Sequence, residues 1–378
     1  MTIEFIIIVS LAIGASIFVV IVATTLIVHK FVSIRVQQRL DRLHGVYSII
    51  FSELILTSLP PLSPGSKTSA IFKQYEELIE PMKVRLAKYS PRRQTLHRKA
   101  MREVLVRFAR DVIGDPAERL LYFFYSFNFV EDEIGLMNTR HWWVRALAAR
   151  ELGLLKARKA IAPLTAALED PHPDVRNQAM QSLVAIVGVG ALPNILRLSR
   201  NLSRWTTVEL SVIVKQFESA AVPALLDALD LEDRSIVVFC LEMLAESGFV
   251  DAVEKVRHIA QNHPDLHVRS KAIEVLGRLG DERAERLLLQ LAESPVEALR
   301  LSALFAIERI GMASAAPVLL KRIRQANLSE KVAAARALAR SGPIGVEHLR
   351  SLLIEESAVI RSVAEQVLEE VESPAVTT

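Results

Sequence analysis

One cysteine, Cys240, stands in the 378 residues. A lone thiol excludes an internal disulfide and every zinc module built on several cysteines. Aromatic residues are sparse at 6%, and the net charge of +3 is close to balance. There is no Gly-rich phosphate loop, no nucleophile elbow and no HExxH helix. His258, His263 and His267 form the one local histidine group. Pro264 interrupts it, so these rings do not share a helix face as zinc ligands would. No catalytic, cofactor-binding or metal-ligating residue is expected.

What is present is a period. Anchors at Val144, Val175, Trp205, Ile236, Val268, Leu299, Glu330 and Ile360 recur in steps of 31, 30, 31, 32, 31, 31 and 30 residues. Four residues after the anchor stand Ala148, Ala179, Cys240, Ala272, Ala303, Ala334 and Ala364, with Glu209 the exception. Eight residues after it stand Leu152, Leu183, Ile213, Leu244, Leu276, Ile307, Leu338 and Leu368. Offsets of 0, 4 and 8 share one face of an α-helix. The small residues let a neighbouring helix approach.

Gly248, Gly280, Gly311 and Gly342 lie twelve residues after their anchors, where a left-handed helix cap is needed. Pro163, Pro193, Pro223 and Pro317 then mark the start of a second helix. The expected class is all-α: an N-terminal transmembrane helix followed by an α-solenoid of about eight helical hairpins. Cys240, in the small-residue column, reads as core filling. A basic residue usually follows the anchor, as in Arg145, Arg176, Arg269, Arg300, Lys331 and Arg361. An internal ladder to acids such as Asp174 and Asp265 is expected there rather than a row of phosphate contacts.

Phe5 to Val28 contains no charged side chain. Twenty-four helical residues reach about 36 Å, enough to cross a hydrocarbon core of about 30 Å. The start, Met1-Thr2-Ile3-Glu4, lacks a basic residue, which favours a retained anchor over a cleaved signal. Lys30, Arg35, Arg39 and Arg42 follow at once and predict a cytoplasmic solenoid with the N-terminus outside, in the inner (plasma) membrane.

Val36, Leu40, Leu43, Tyr47, Ile50 and Leu54 step by 4, 3, 4, 3 and 4. That stripe could form a homodimer through 36–54 or pack within the chain. Leu59-Pro60-Pro61-Leu62-Ser63-Pro64-Gly65-Ser66 reads as a linker. Helices are expected around 70–88 and 92–112. The expected segments are an anchor at 1–30, a juxtamembrane helix and linker at 31–69, a basic region with an aromatic cap at 70–140, the solenoid at 141–372 and a disordered tail at 373–378.

From Pro81 to Arg110 ten Lys or Arg face one acid, Glu103. Residues 1–140 hold 18 basic and 13 acidic side chains, and residues 141–378 hold 28 and 30. The excess therefore sits before the repeats. Lys83, Arg85, Lys88, Arg92, Arg93, Arg98, Lys99 and Arg102 are the expected contacts with an anionic membrane surface. Nucleic acid is disfavoured as a partner, because the repeats carry no basic stripe. Six of the 22 aromatic residues fall within Leu120–Val130, which reads as a cap on the first repeat. Trp142, Trp143 and Trp205 are the candidate contacts with a protein partner. Trp205 begins the one aberrant repeat, which marks either a binding site or a bend.

The segments Asp170-Pro171 through Val175-Arg176 and Ala179, and His267-Val268-Arg269 through Leu276-Gly277-Arg278-Leu279-Gly280-Asp281, resemble HEAT repeats of the short type found in phycobilisome lyases. That resemblance covers residues 141 to 372. It implies an extended protein-binding surface. The HEAT-fold hydroxylase holds iron with His-Glu pairs, and no His-Glu dipeptide occurs here. One apolar span before such repeats is similar to bacterial membrane-anchored HEAT proteins, which implies a scaffold or adaptor in an envelope polysaccharide or glycosyltransferase system. A regulatory subunit or an enzyme with its site among the second helices is one alternative, and nucleic-acid binding through the basic 81–110 segment is another.

Overall fold

The computed structural model describes residues 3–56, 68–199 and 202–372. Among them the regular elements are twenty α-helices and six short 3-10 turns, with no strand. The Leu59–Ser66 linker and the tail at 373–378 lie outside the described residues. The chain divides into two compact units, Met1–Ala167 with His172–Ile186, and Leu168–Pro171 with Val187–Thr378.

The first unit begins with α1 (Ile3–Leu56), one uninterrupted helix of 54 residues. At 1.5 Å per residue it is about 81 Å long. Its described side chains from Ile13 to Arg39 are exposed, and Leu40 is the first buried one. Its most apolar 18-residue window, within Ser16–Glu53, has a mean hydropathy of 2.3 and no buried part. By length and composition α1 can cross a membrane. Pro173–Leu198 reaches 1.7, but 44% of its window is buried inside the protein.

Helices α2 (Thr68–Ala87), α3 (Pro91–Asp111), α4 (Asp115–Ser126) and α5 (Phe129–Leu136) follow, then the repeat helices α6 (Trp142–Leu154), α7 (Ile161–Ala167) and α8 (Pro173–Val187). Two residues of the stripe on α1, Leu40 and Tyr47, are spent inside the chain, while Val36 stays 46% exposed. Leu40, Tyr47, Phe51 and Ile55 are buried. Tyr47 Oη lies 2.7 Å from His97 Nδ1, His44 Nε2 lies 2.8 Å from Glu103 Oε2, and the rings of Phe51 and Phe123 are 5.9 Å apart. The intramolecular alternative therefore takes Leu40 and Tyr47, and a homodimer cannot use them. The aromatic run supplies this core, with Phe123, Phe124, Phe127 and Phe129 all buried.

The second unit contains α9 (Leu192–Leu198), α10 (Arg204–Phe217), α11 (Val222–Ala228), α12 (Arg234–Ser247), α13 (Val253–Asn262), α14 (Leu266–Leu279), α15 (Glu285–Ala292), α16 (Glu297–Ile310), α17 (Ala316–Gln325), α18 (Leu328–Arg340), α19 (Pro343–Leu352) and α20 (Ala358–Glu372). The eighth copy contributes α20 alone among the described residues, so the repeats form seven helix pairs and a closing helix.

The columns explain the core. Ile236, Val268, Leu299, Cys240, Ala272, Ala303 and Ala334 are at most 1% exposed. Burying each aliphatic side chain stabilises by roughly 1.5–3 kcal/mol. A Cβ on Gly277 would fall 2.6 Å from Ala306 Cα, which measures how closely α14 and α16 approach. Gly248, Gly280 and Gly311 cap their helices at φ +62°, +66° and +75°. Gly342 differs: Ser341 ends α18, and Gly342 begins α19.

Among the basic residues after the anchors, Arg300 pairs with an acid, Glu330, while four others turn to backbone carbonyls. Arg145 donates to the carbonyls of Thr139 and Arg140, Arg269 to Ala260, Lys331 to Ile323 and Arg324, and Arg361 to Glu355 and Glu356. Carbonyls at the end of a helix lack intrahelical donors and carry the negative end of its dipole. A cation satisfies both needs. Asp265 caps its own helix, accepting from the amides of His267 and Val268, which holds its carboxyl below the usual range.

Candidate functional site

In the second unit the first helices of the repeats carry a run of hollows. A cavity of about 630 Å³ is lined by Val214, Val222, Leu225, Met243 and Phe249, with Arg278 and Arg309 among its polar neighbours. A second, of about 600 Å³, shares Arg309 and adds Glu274, Phe305 and Arg340. A third, of about 490 Å³, shares Glu274 and Phe305 and adds Lys271 and His267. Shared lining residues make the three hollows one discontinuous groove over α10, α12, α14, α16 and α18. The groove follows mainly the first helices of the repeats, with Val222 and Leu225 of the second helix α11 in its wall.

Local geometry sets its chemistry. Lys215 pairs with Glu246 at 2.9 Å. Lys271 pairs with Glu242 at 2.9 Å and Glu274 at 3.0 Å. Burial alone would lower the Lys271 ammonium, but the two carboxylates outweigh it and hold the group above its ordinary value. Arg278, Arg309 and Arg340, one repeat apart in the last turn of α14, α16 and α18, make no ion pair with any described residue. The Phe305 side chain is 54% exposed beside them. This arrangement can hold an extended chain bearing carboxylates and an apolar side chain. The arginine column was legible at offset ten from the anchors, but only where all repeats are aligned.

Trp205 is 66% exposed, with Val208 at 55% and Val212 at 62%. Spacings of three and four residues set these on one face of α10. The helix buries Leu210, Ile213 and Val214, at the offsets where α14 buries Ile273, Leu276 and Gly277, but leaves its anchor position outside. Glu209 supplies the reason. A glutamate in the small-residue column keeps the neighbouring helix off, and its Oε2 is buried without a hydrogen-bond partner.

Trp142 and Trp143, in the first unit, are 37% and 54% exposed. Trp142 stacks on His172 at 3.8 Å and Trp143 on His141 at 4.5 Å. These four rings form a half-exposed platform at the start of α6.

The basic segment is split by the structure. Arg98 pairs with Asp132 at 2.5 Å and lies over the Phe129 ring. Arg102 pairs with Glu133, which is fully buried, and lies 3.7 Å from Glu151. These two cations of the eight are therefore paired within the chain, Arg98 at the surface and Arg102 against a buried carboxylate. Lys99 approaches Glu103 at 3.9 Å. Lys83, Arg85, Lys88, Arg92 and Arg93 form no ion pair with described residues, and Arg93 covers the Tyr89 ring at 4.6 Å. Lys83, Arg85 and Lys88 lie on α2 and the turn after it, Arg92 and Arg93 open α3, and Arg85 lines a hollow beside residues 43–53 of α1. That stretch begins roughly 22 Å beyond Val28 along the helix axis. Lys30, Arg35, Arg39 and Arg42 on α1 itself are the cations nearest the apolar segment.

Glu133 and Glu151 escaped the sequence reading, because no spacing rule brings α5 and α6 onto Arg102. Burial, then the neighbouring carboxylate, push Glu151 up to about 7, and Glu133 is raised by burial. Burial also raises the Cys240 thiol, consistent with a core residue. No group of three or more His, Cys, Asp or Glu among the described residues is placed to hold a metal.

The family model described as HEAT repeats matches residues 134–207 and 222–304. No curated protein sequence matches the chain. Among solved structures, the CpcE–CpcF complex of phycocyanin lyase from Nostoc shares 20% identity, covering 82% of this chain and 99% of that one, with a TM-score of 0.26. Human deoxyhypusine hydroxylase shares 18%, covering 80% and 98%, with a TM-score of 0.29. Kap121p bound to Pho4p shares 11%, covering 87% and 37%, with a TM-score of 0.32. Likenesses at these levels carry no argument about activity.

Proposed function

We propose that this chain, whose repeats are HEAT repeats, is a membrane-anchored, cytosol-facing scaffold or adaptor that binds a protein partner without catalysing a reaction. The observation that carries the anchor is α1: its apolar part is exposed on all described sides, and the same helix continues into a folded unit at Leu40. An exposed apolar helix in water is costly, and a bilayer removes that cost. Lys30, Arg35, Arg39 and Arg42 favour the cytosolic side for the repeats. The membrane is the bacterial inner membrane, and the partner belongs to an envelope polysaccharide or glycosyltransferase system, as the resemblance to anchored HEAT proteins implies.

The partner surface combines the exposed face of α10 with the groove of Arg278, Arg309 and Arg340. Nucleic acid is the lesser reading, because five of the groove's ten charged lining residues are acids. The test is capture from solubilised membranes by the full chain and by an Arg278→Glu/Arg309→Glu variant. One defined protein held by the parent chain and lost by the variant supports the reading. Equal recovery by both discards this surface. Release of the chain from membranes by alkaline carbonate discards the anchor.

A further inference from the structure

Three arginines of the groove are drawn together and left without counter-ions. Arg278, Arg309 and Arg340 stand ten residues after their anchors, in the last turns of α14, α16 and α18. The helices approach closely at that end. A Cβ on Gly277, next to Arg278, would fall 2.6 Å from Ala306 Cα. One on Gly311, just after Arg309, would fall 2.9 Å from the Arg340 carbonyl oxygen. Side chains at this offset reach one another across one repeat: Lys215 and Glu246, the same position in the two copies before, pair at 2.9 Å. In the next three copies the position is arginine, so like charge faces like.

The other charges of the groove do little to relieve this. Lys215 is taken by Glu246, and Lys271 takes Glu242 and Glu274. Among the acids that line the groove, Glu218 and Glu308 remain against the three guanidiniums. Glu218 follows α10, two repeats before Arg278. A row of guanidiniums short of carboxylates takes up anions through paired N–H donors.

Spacing selects the form of the anion. Packed helices lie about 8–10 Å apart. A polyproline II chain rises about 3.1 Å per residue with three residues per turn, so one face recurs about every 9 Å. Carboxylates at every third residue of such a chain keep step with the three arginines. One repeat before Arg278 the row holds Glu246, and the hollow there is walled by Val222, Leu225, Met243 and Phe249. A carboxylate is repelled at that place, and an apolar side chain is accommodated. Phe305, 54% exposed and one turn from Arg309, adds apolar contact alongside the row. The segments 57–67 and 373–378 carry no Asp or Glu, so neither can supply the ligand.

We propose that Arg278, Arg309 and Arg340 form a ladder for an extended acidic segment of a partner protein. The segment places one carboxylate per repeat, at every third residue, and an apolar side chain three residues before the first of them. This rests on the groove being a partner surface, and adds the chemistry and register of what fills it.

The experiment uses the full chain in nanodiscs of zwitterionic lipid, with fluorescence anisotropy as the readout. The probe is a labelled peptide with three glutamates at every third position, proline and alanine between them, and a leucine three residues before the first. Binding is expected. A peptide of the same composition with its glutamates adjacent should bind about tenfold more weakly, as should the first peptide to Arg309→Glu. Arg309 is exposed, and an unchanged melting temperature checks that the variant is folded. Three results would each overturn the proposal: no binding of the first peptide, equal binding of the peptide with adjacent glutamates, or tighter binding of oligo-dT at the same salt. The partner-surface reading fails differently, by equal recovery of a membrane protein with the parent chain and with Arg278→Glu/Arg309→Glu.

Discussion

Glu330 and Trp205 occupy the same column of the repeat, and the polar one is inside. Glu330 is 1% exposed, and Trp205 is 66% exposed. Glu330 is buried because two cations reach it. Arg300 donates to its Oε1 from Nε at 3.0 Å and Nη2 at 2.6 Å, and Arg322 lies 3.6 Å from Oε2. Trp205 is outside because Glu209, one turn on, prevents the close approach that an alanine allows elsewhere. A period fixes which positions face a neighbour, and the partners available there decide whether a side chain is buried.

The sharpest way to break this comparison is to remove the partner that permits burial. Arg300→Ala leaves Glu330 in the core with only the more distant Arg322. It should destabilise the second unit by about 3 kcal/mol, read as a lower urea midpoint. A midpoint unchanged by that substitution would show that the ion pair does not hold α16 to α18. Gly277→Ala probes the regular packing that α10 lacks. Its new methyl meets Ala306 backbone, and a loss of about 2 kcal/mol is expected in the same measurement.

A second buried acid site has the opposite ratio, two carboxylates to one guanidinium. Glu151 is raised to about 7 from 4.5, so its neutral form is favoured by the fold. The associated stability is complete below about pH 4.5 and is lost as pH rises through about 7, on the order of 2 kcal/mol once titration with Glu133 is allowed for. The melting temperature of the parent chain should therefore fall across that window, and Glu151→Gln should flatten the profile. An equal fall in the variant would assign the effect to other groups.

The smallest stability effect belongs to Trp205. Replacing it by alanine should change stability by no more than about 0.5 kcal/mol, since the ring covers little. Partner capture should nonetheless drop. A large loss of stability with capture intact would mean that the altered repeat serves as a bend rather than a contact.

Much of the fold was legible. The offsets 0, 4 and 8 named the buried columns, and Gly248, Gly280 and Gly311 marked three helix ends. The site was less legible. The sequence suggested that Asp265 pairs with a neighbouring arginine, and Arg234 lies 3.6 Å from its Oδ2, while its Oδ1 caps its own helix by accepting from amides two and three residues away. It also offered eight basic residues as one membrane surface. Arg98 and Arg102 turned inward because Asp132 and Glu133, more than thirty residues later, fold against them. Ile50 and Leu43 looked like a dimer seam, while the core took the adjacent stripe of Leu40, Tyr47, Phe51 and Ile55.

By itself the sequence determined the helices, their pairing and the face each one buries. Those features rest on contacts within a few residues, where hydrogen bonding and side-chain spacing leave little choice. Tertiary structure alone decided that Trp205 stands outside and that three arginines share one groove. Such features depend on pairs as distant as His44 and Glu103, 59 residues apart, and no local pattern encodes which of several acids or apolar stripes will arrive first.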